Sequence, residues 1–276
     1  MDYIELSCSL LNKDEAESLM FELAELGFDS FIEEENGFKG YIRNEVYVTL
    51  DNEVKSLLQQ FVKHEKYSFQ LIKSQNWNAE WEKNFEPIEV DTRCYVRASF
   101  HALKSGFDHE IIITPKMSFG TGHHATTFLV MKEMLDNNDL FGKKVLDMGC
   151  GTGILAILAA KLGASNIVAI DIDEWPCENA KENIHINKIA NVFVDKGDAQ
   201  ILAGQAFDVI LANINRNVLL EDMGIYVKCL NNNGDLLLSG FYKSDVEILV
   251  NKAESFGLNF VSKNSKDDWA LLHFKK

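Results

Sequence analysis

The sequence predicts an α/β fold, with a doubly wound parallel sheet that follows a small α+β domain. The first observation behind this prediction is the stretch 145–173, VLDMGCGTGILAILAAKLGASNIVAIDID. We interpret it as strand, glycine turn, apolar helix and strand, which is half of a doubly wound sheet. The second is the alternation of strands and helices that continues from there to the C-terminus. The third is a separate βαββαβ order in the first 75 residues.

The first 75 residues predict a ferredoxin-like unit. Strands are expected at 3–10, 28–34, 37–43 and 67–72, and helices at 12–26 and 51–61. Asn12 is the expected cap of the first helix, and Asn36-Gly37 the expected hairpin turn. Since no catalytic group of residues stands out, we interpret residues 1–75 as a substrate-recognition domain.

Residues 76–92 are predicted to be a linker that contains a short helix. Trp77, Trp81 and Phe85 stand four residues apart, which places them on one face of a helix. We expect this face to pack at the junction between two domains. Residues 93–276 are then the predicted catalytic domain.

In the larger domain, polar residues end several predicted strands. Helices are expected at 125–135, 154–162, 174–187, 215–230 and 244–256, and strands at 95–97, 111–113, 145–147, 167–170, 192–194, 207–212, 235–239, 258–262 and 268–274. Asp147, Asp171, Asn213 and Ser239 stand at or just after such strand ends. Open α/β sheets bind ligands at the carboxyl ends of their strands. A turn is expected at Asn233-Gly234.

The glycine turn predicts a site for a nucleoside ligand. Gly149, Gly151 and Gly153 let the backbone adopt positive φ and let a ligand approach without meeting a Cβ atom. A carboxylate at the end of the next strand, Asp171, suits the two hydroxyls of a ribose. A dinucleotide and S-adenosylmethionine both fit this description. The dinucleotide pattern G-x-G-x-x-G needs a third glycine where this chain has Ile154, which disfavours a nicotinamide oxidoreductase.

The stretch 115–127, PKMSFGTGHHATT, is the second predicted site element. Two glycines and several hydroxyls at the start of a helix predict an anion or carboxylate site. The adjacent His123 and His124 suggest a metal, but neighbouring residues do not converge on one ion and no third ligand is near in sequence. We therefore expect no metal and interpret the pair as hydrogen-bonding loop residues.

Composition favours a cytoplasmic protein with a basic partner. The chain has 276 residues, a net charge of −15 and five scattered cysteines without a CxxC pair, which is typical of reduced thiols. Neither a signal peptide nor a membrane span is predicted. Residues 1–60 contain 14 acidic and 4 basic side chains. Such a surface repels nucleic acid and attracts basic proteins. A monomer is expected.

Five stretches together resemble the PrmA family, the methyltransferases of ribosomal protein L11. They are FGTGHHATT (119–127), LDMGCGTGILAILAAKLGA (146–164), IDID (170–173), LANI (211–214) and DDWALL (267–272). The resemblance covers residues 110–276 well and the first domain weakly. It implies a Rossmann-like class I methyltransferase domain behind a ferredoxin-like domain. It also implies S-adenosylmethionine as cofactor, and methylation of lysine side chains and the N-terminal amine of a basic ribosomal protein.

The same resemblance implies roles for individual residues. Thr127 would contact the methionine end of the cofactor, Gly149 and Gly151 the same ligand from the loop, and Asp171 its ribose. Asp198 would meet the adenine amino group, and Asn213 the cofactor at the reacting centre, as the candidate catalytic residue.

The chain departs from the family pattern at two places. Lys116 replaces a glycine, and Asn215-Arg216 replaces a small apolar pair. Both changes could alter the choice of acceptor. Trp269 is a candidate wall of the acceptor pocket or, equally, a core tryptophan.

Two other hypotheses stay open. A class I methyltransferase that acts on another protein or a small molecule fits the same motifs. A non-catalytic module that only binds an adenosyl ligand is a third class of function. The motifs contain no evident general base, so we expect the enzyme mainly to orient and desolvate its substrates.

Overall fold

A computed structural model describes residues 2–9, 13–34, 37–62, 66–72, 85–116, 118–137 and 140–276. It divides the chain into two compact units, Met1–Trp81 and Glu82–Lys276. Three sequence predictions lie outside the described residues: the cap at Asn12, the turn residue Asn36, and the linker helix with Trp77 and Trp81.

Unit 1 is a four-stranded antiparallel sheet with two helices. Its elements are β1 (Tyr3–Ser9), α1 (Lys13–Glu25), β2 (Ser30–Glu34), β3 (Gly37–Arg43), α2 (Asn44–Phe61) and β4 (Tyr67–Ile72). The strand order β2-β3-β1-β4 puts the first strand in the interior of the sheet. Alternate residues of β1 and β3 are buried, because successive side chains of a strand point to opposite faces. The ferredoxin-like prediction is confirmed.

Helix α2 begins seven residues before the predicted start at residue 51. Val46, Tyr47 and Leu50 pack against the buried core of unit 1, in register with Val54 and Leu58. The prediction was wrong because it took Asp51 as the helix start, although apolar residues at helical spacing begin before it.

Unit 2 is built on a seven-stranded sheet. Its strands are β8 (Lys144–Met148), β9 (Asn166–Asp171), β10 (Val192–Lys196), β11 (Phe207–Asn213), β12 (Leu230–Tyr242), β13 (Asn259–Lys266) and β14 (Trp269–Lys275). They lie in the order β10-β9-β8-β11-β12-β14-β13. Strands β8 to β12 pair in parallel, and β14 is antiparallel to β12 and β13. A smaller sheet contains β5 (Ile88–Val90), β6 (Cys94–Arg97) and β7 (His109–Ile112).

Helices cover both faces of the large sheet. They are α3 (Ala125–Asn137), α4 (Ile154–Lys161), α5 (Glu174–Ile186), α6 (Arg216–Cys229) and α7 (Val246–Ser255). One buried cluster joins α3, α4 and α5 to one face, and a second joins α6 and α7 to the other. Helix α4 is buried nearly all round, as its apolar sequence predicts.

Two elements differ from the sequence prediction. Strand β5 lies within 76–92, the segment predicted as a linker, and pairs with β6. Asn233-Gly234 lies inside β12, where the register shifts between the pairs Phe207–Leu230 and Val209–Asp235. Asn233 has a φ of 61°, so the predicted change of backbone direction is taken up as an irregularity within the strand.

Within the described ranges, no helix is both long enough and apolar enough to cross a lipid bilayer.

Candidate functional site

The carboxyl ends of β8, β9 and β11 open onto one cavity of about 580 Å³ in unit 2. Its lining includes Gly149, Gly151, Asp171, Asp198 and Asn213. Five residues from four separate stretches of the sequence therefore converge at one sheet edge. Parallel strands produce this convergence, because their carboxyl ends all meet at the same edge.

The glycine loop packs closely against the side chain of Ile214 and the backbone of Phe119. A Cβ atom on Gly149 would lie 2.1 Å from Cγ2 of Ile214, and one on Gly151 would lie 2.2 Å from the carbonyl oxygen of Phe119. Both glycines have positive φ, 73° and 54°. The glycines are therefore required by the packing of the protein itself, besides any need of a ligand.

Asp147 supports the loop from below. Its side chain is fully buried, and Oδ2 accepts a hydrogen bond of 3.0 Å from the backbone N–H of Ala156 in α4. Burial raises the pKa of Asp147 to about 7, while that hydrogen bond opposes the shift. This carboxyl group fixes the start of α4 relative to β8.

Asp171 connects the end of β9 to the glycine loop. Its Oδ2 accepts from the N–H of Gly151 at 2.9 Å, and Oδ1 accepts from the N–H of Asp173 at 3.3 Å. These contacts hold the carboxylate at the cavity with lone pairs left for hydroxyl donors. Asp198 lies further along the same wall, and its Oδ1 accepts from the N–H of Gln200 at 2.9 Å.

Asn213 lines the cavity, and a hydrogen bond holds its side-chain amide in place. Its amide nitrogen donates to Oγ1 of Thr127 at 3.3 Å, which fixes the orientation of the amide. Its Oδ1 is buried and has no hydrogen-bond partner among the described residues. Thr126 and Thr127 are both buried, and of the two only Thr126 is among the residues that line the cavity. Thr127 thus reaches the site through Asn213.

Asn183 of α5 and Asn187, the residue that follows this helix, hold the segment that precedes residues 118–127. Asn187 Oδ1 accepts from the N–H of Ile112 at 2.9 Å, and Asn183 Oδ1 accepts from the N–H of Thr114 at 2.8 Å. Asn183 also donates to the carbonyl of Thr152 in the glycine loop at 2.9 Å. One helix therefore positions both loops of the site.

The paired histidines have different partners. His123 bonds to Thr121 through Nδ1 at 3.0 Å and to the carbonyl of Glu86 through Nε2 at 2.9 Å. His124 lines the cavity, and its Nδ1 contacts Oγ1 of Thr126 at 2.8 Å. Burial lowers the pKa of His124, which favours the neutral form of its ring. His123 thus connects the loop to the backbone at Glu86, and His124 connects it to Thr126 at the start of α3.

Aromatic rings form one end of the cavity. Trp269 lines it, stacks on Tyr242 with ring centroids 4.3 Å apart, and meets the ring of His124 nearly edge-on at 4.6 Å. Phe119, which is 54% exposed, lies 5.1 Å from His124. The sequence left Trp269 as either a pocket wall or a core residue, and the structure places it at the wall of this cavity.

The two departures from the family pattern are engaged in local contacts. Lys116 pairs with Glu182, and its ammonium lies 5.6 Å from the ring centre of Trp175. Asn215 Oδ1 accepts from the N–H of Val218 at 3.2 Å and thereby caps α6. Arg216 forms an ion pair of 2.9 Å with Asp245.

Four cavity residues, Ser118, Phe119, His124 and Thr126, lie in the predicted site stretch 115–127. The other cavity residues that were not predicted as site residues are Met148, Ile172, Asp173, Pro176, Gly197, Ile214, Val218, Asp222 and Gly240. Ile172 could have been found, since it directly follows Asp171. Val218 and Asp222 lie one turn apart on α6, and nothing in their local sequence distinguishes them from other helix positions.

These residues suit S-adenosylmethionine. The cavity combines a glycine loop, a carboxylate at the end of the second strand, and a buried amide oxygen without a partner in the described part of the chain. Asp171 would hold the ribose hydroxyls, and Ile172 and Val218 offer apolar surface for the adenine. A volume of about 580 Å³ is within the range of small-molecule sites.

Comparison with known proteins agrees with this geometry. A "Ribosomal protein L11 methyltransferase" of Porphyromonas gingivalis is 49% identical over 261 residues, 93% of this chain and 89% of that protein. One of Phocaeicola vulgatus with the same description is 45% identical over 256 residues, 91% of this chain and 90% of that protein. The crystal structure of a ribosomal protein L11 methylase from Lactobacillus delbrueckii subsp. bulgaricus has a TM-score of 0.63 and 25% identity, and covers 69% of this chain and 98% of its own.

The family profile described as "Ribosomal protein L11 methyltransferase (PrmA)" matches residues 4–276, which include both units. The matched region includes the glycine loop, Asp171 and Asn213, the residues that converge on the cavity. The prediction of a class I methyltransferase domain is confirmed, and the chain belongs to the PrmA family of S-adenosylmethionine-dependent methyltransferases.

Proposed function

We propose that this protein transfers methyl groups from S-adenosylmethionine to ribosomal protein L11, at lysine ε-amino groups and at the N-terminal amine. Membership of the PrmA family supports the activity and the substrate. The observation that carries the proposal is the buried Oδ1 of Asn213, which faces no partner among the described residues although the amide is held by Thr127. A donor from outside the chain, such as the N–H of an amine, completes its hydrogen bonding.

The bound cofactor supplies a methyl group on a positively charged sulfur, which makes that group electrophilic. The residues of the chain then have to bind, orient and exclude water. Asp171 and the glycine loop fix the ribose, Asp198 holds the adenine amino group, and Asn213 aligns the acceptor amine. Trp269 and Phe119 form apolar walls that remove water from the amine.

The acceptor amine has to lose its proton before it can react, because an ammonium has no lone pair. His124 is a poor base, since its Nδ1 already accepts a hydrogen bond of 3.4 Å from the backbone N–H of Thr126. In the neutral ring the proton is then on Nε2. We therefore propose that the amine enters already neutral, helped by an apolar site that lowers its pKa.

Unit 1 is proposed to recognise the substrate. Its first 60 residues contain 14 acidic and 4 basic side chains, which favours a basic protein. An open groove between α1 and α2 is lined by Glu22, Glu25 and Glu53. Replacing these three residues with glutamine should raise KM for L11 several-fold, with an unchanged affinity for S-adenosylmethionine. An unchanged KM would contradict this role.

The proposal includes a cytoplasmic monomer that touches neither nucleic acid nor membrane directly. The net charge of −15 supports the absence of nucleic-acid contact, because an acidic surface repels phosphate groups. Size-exclusion chromatography with light scattering would measure the oligomeric state.

The activity is tested with purified protein, labelled S-adenosylmethionine and purified L11. We expect label in L11, mapped by mass spectrometry to amino groups, and none in another basic ribosomal protein. Label in a different protein of a whole-cell extract, with none in L11, would indicate a methyltransferase with another substrate. Cofactor binding without any labelled product would indicate a non-catalytic module.

A further inference from the structure

Ser118 has a buried hydroxyl group to which the proposed function gives no role. The residue is 7% exposed, and its Oγ is buried without a hydrogen-bond partner in the described part of the chain. Ser118 also lines the cavity of the cofactor site. A hydroxyl removed from water without a partner costs free energy, so its presence here points to a ligand that completes it.

The position of Ser118 identifies the part of the ligand that it meets. The next residue, Phe119, accepts a hydrogen bond of 2.9 Å from the N–H of Thr152, which keeps this segment against the glycine loop. Asp171 stands at the ribose end of the cavity and Asn213 at the reacting end. The remaining polar part of the cofactor is its amino-acid tail. We therefore place this tail in the region of the cavity that Ser118 and Thr126 line.

The start of α3 favours the carboxylate of that tail over its ammonium group. Thr126 is in the first turn of α3, and a helix N-terminus is electropositive. Thr127, which the family resemblance assigns to the methionine end, already accepts from the amide of Asn213. Ser118 therefore offers a donor that has no other use among the described residues.

We propose that the Ser118 hydroxyl donates a hydrogen bond to the carboxylate of the methionine part of S-adenosylmethionine. This inference rests on the proposed function, since it needs the cofactor in this cavity. It adds a binding residue that neither the glycine loop nor Asp171 provides, at the opposite end of the ligand from the adenine.

The test measures the binding of three ligands to the full chain by calorimetry. S-adenosylmethionine has the carboxylate, decarboxylated S-adenosylmethionine lacks only that group, and 5′-methylthioadenosine lacks the whole amino-acid tail. Ser118→Ala is expected to weaken binding of the first about tenfold, as for a hydrogen bond to a charged group. The other two should change by less than about twofold. Thr121→Ala is the control. Thr121 is in the same loop, but its hydroxyl is paired with His123 and the residue is not among those that line the cavity, so its loss should leave the three affinities unchanged.

The thermal stability of the free protein provides a second measurement. Removal of a hydroxyl without a partner should not lower Tm, whereas loss of a structural hydrogen bond would. A lowered Tm, equal weakening of all three ligands, or no weakening of S-adenosylmethionine would overturn the assignment. Weakening of both tailed ligands alone would place the contact at the ammonium and also overturn it. A wild-type protein that binds none of the three would instead refute the proposed function.

Discussion

Gly151→Ala should destabilise unit 2 and weaken cofactor binding for a reason that is local to the loop. Gly151 has a φ of 54°, and an added Cβ would lie 2.2 Å from the carbonyl oxygen of Phe119. A left-handed conformation costs a residue with a Cβ about 1–2 kcal/mol. The carbonyl must also move by about 1 Å to restore an ordinary contact, which breaks its hydrogen bond from Thr152 and costs about 1 kcal/mol more.

Gly142→Ala is the matched control for this variant. Gly142 has a φ of 73°, and an added Cβ there would have nothing within 4 Å. Both substitutions share the backbone strain and the change in the unfolded chain. Their difference isolates the contact with Phe119, and we expect Gly151→Ala to be less stable than Gly142→Ala by about 1–3 kcal/mol.

Urea unfolding and hydrogen exchange of peptides from β8 and α4 would measure this difference in unit 2. Calorimetry with S-adenosylhomocysteine should reveal at least about a tenfold loss of affinity for Gly151→Ala and none for Gly142→Ala, because the shift of the loop by about 1 Å displaces the ligand contacts. Equal stability of the two variants, with unchanged affinity, would refute the argument that the loop is held against residue 119.

Three further predictions follow from the site and the core. Asn213→Ala should lower kcat about 100-fold while the affinity for S-adenosylhomocysteine changes little, because it removes alignment of the amine; equal losses in both would indicate a binding role. Asp171→Ala should weaken S-adenosylhomocysteine binding about 10–100-fold, measured by calorimetry, since hydrogen bonds to a charged group are lost. Burial by itself lowers the pKa of His273, but contacts with Asp235 at 3.0 Å and Glu133 at 3.3 Å raise it to about 9. This contribution to stability is complete below the unfolded pKa of about 6.5 and is lost as pH rises through 9, so the free energy of unfolding should fall by about 2 kcal/mol from about pH 7 to about pH 10, and less in His273→Gln.

Local patterns predicted most of the fold. The segment from β8 to β9 follows from an apolar run, alternate glycines and an all-apolar helix, and each of these signals lies within a few residues. Predictions failed where a local signal misled, as at Asp51, which lies inside α2 and does not begin it. Strand β5 was missed because a strand of three residues has too few positions for a pattern.

The sequence by itself determined the chemistry of the site: a glycine loop, a carboxylate one strand later and an amide at the end of another strand. Only the tertiary structure decided which groups have partners. Thr127 serves Asn213, Val218 and Asp222 reach the cavity from α6, and Ser118 is left with a free hydroxyl among the described residues. The physical reason is that hydrogen-bond satisfaction depends on neighbours distant in the chain. Thr127 and Asn213, for example, are separated by 86 in residue number, and no local pattern encodes such a pair.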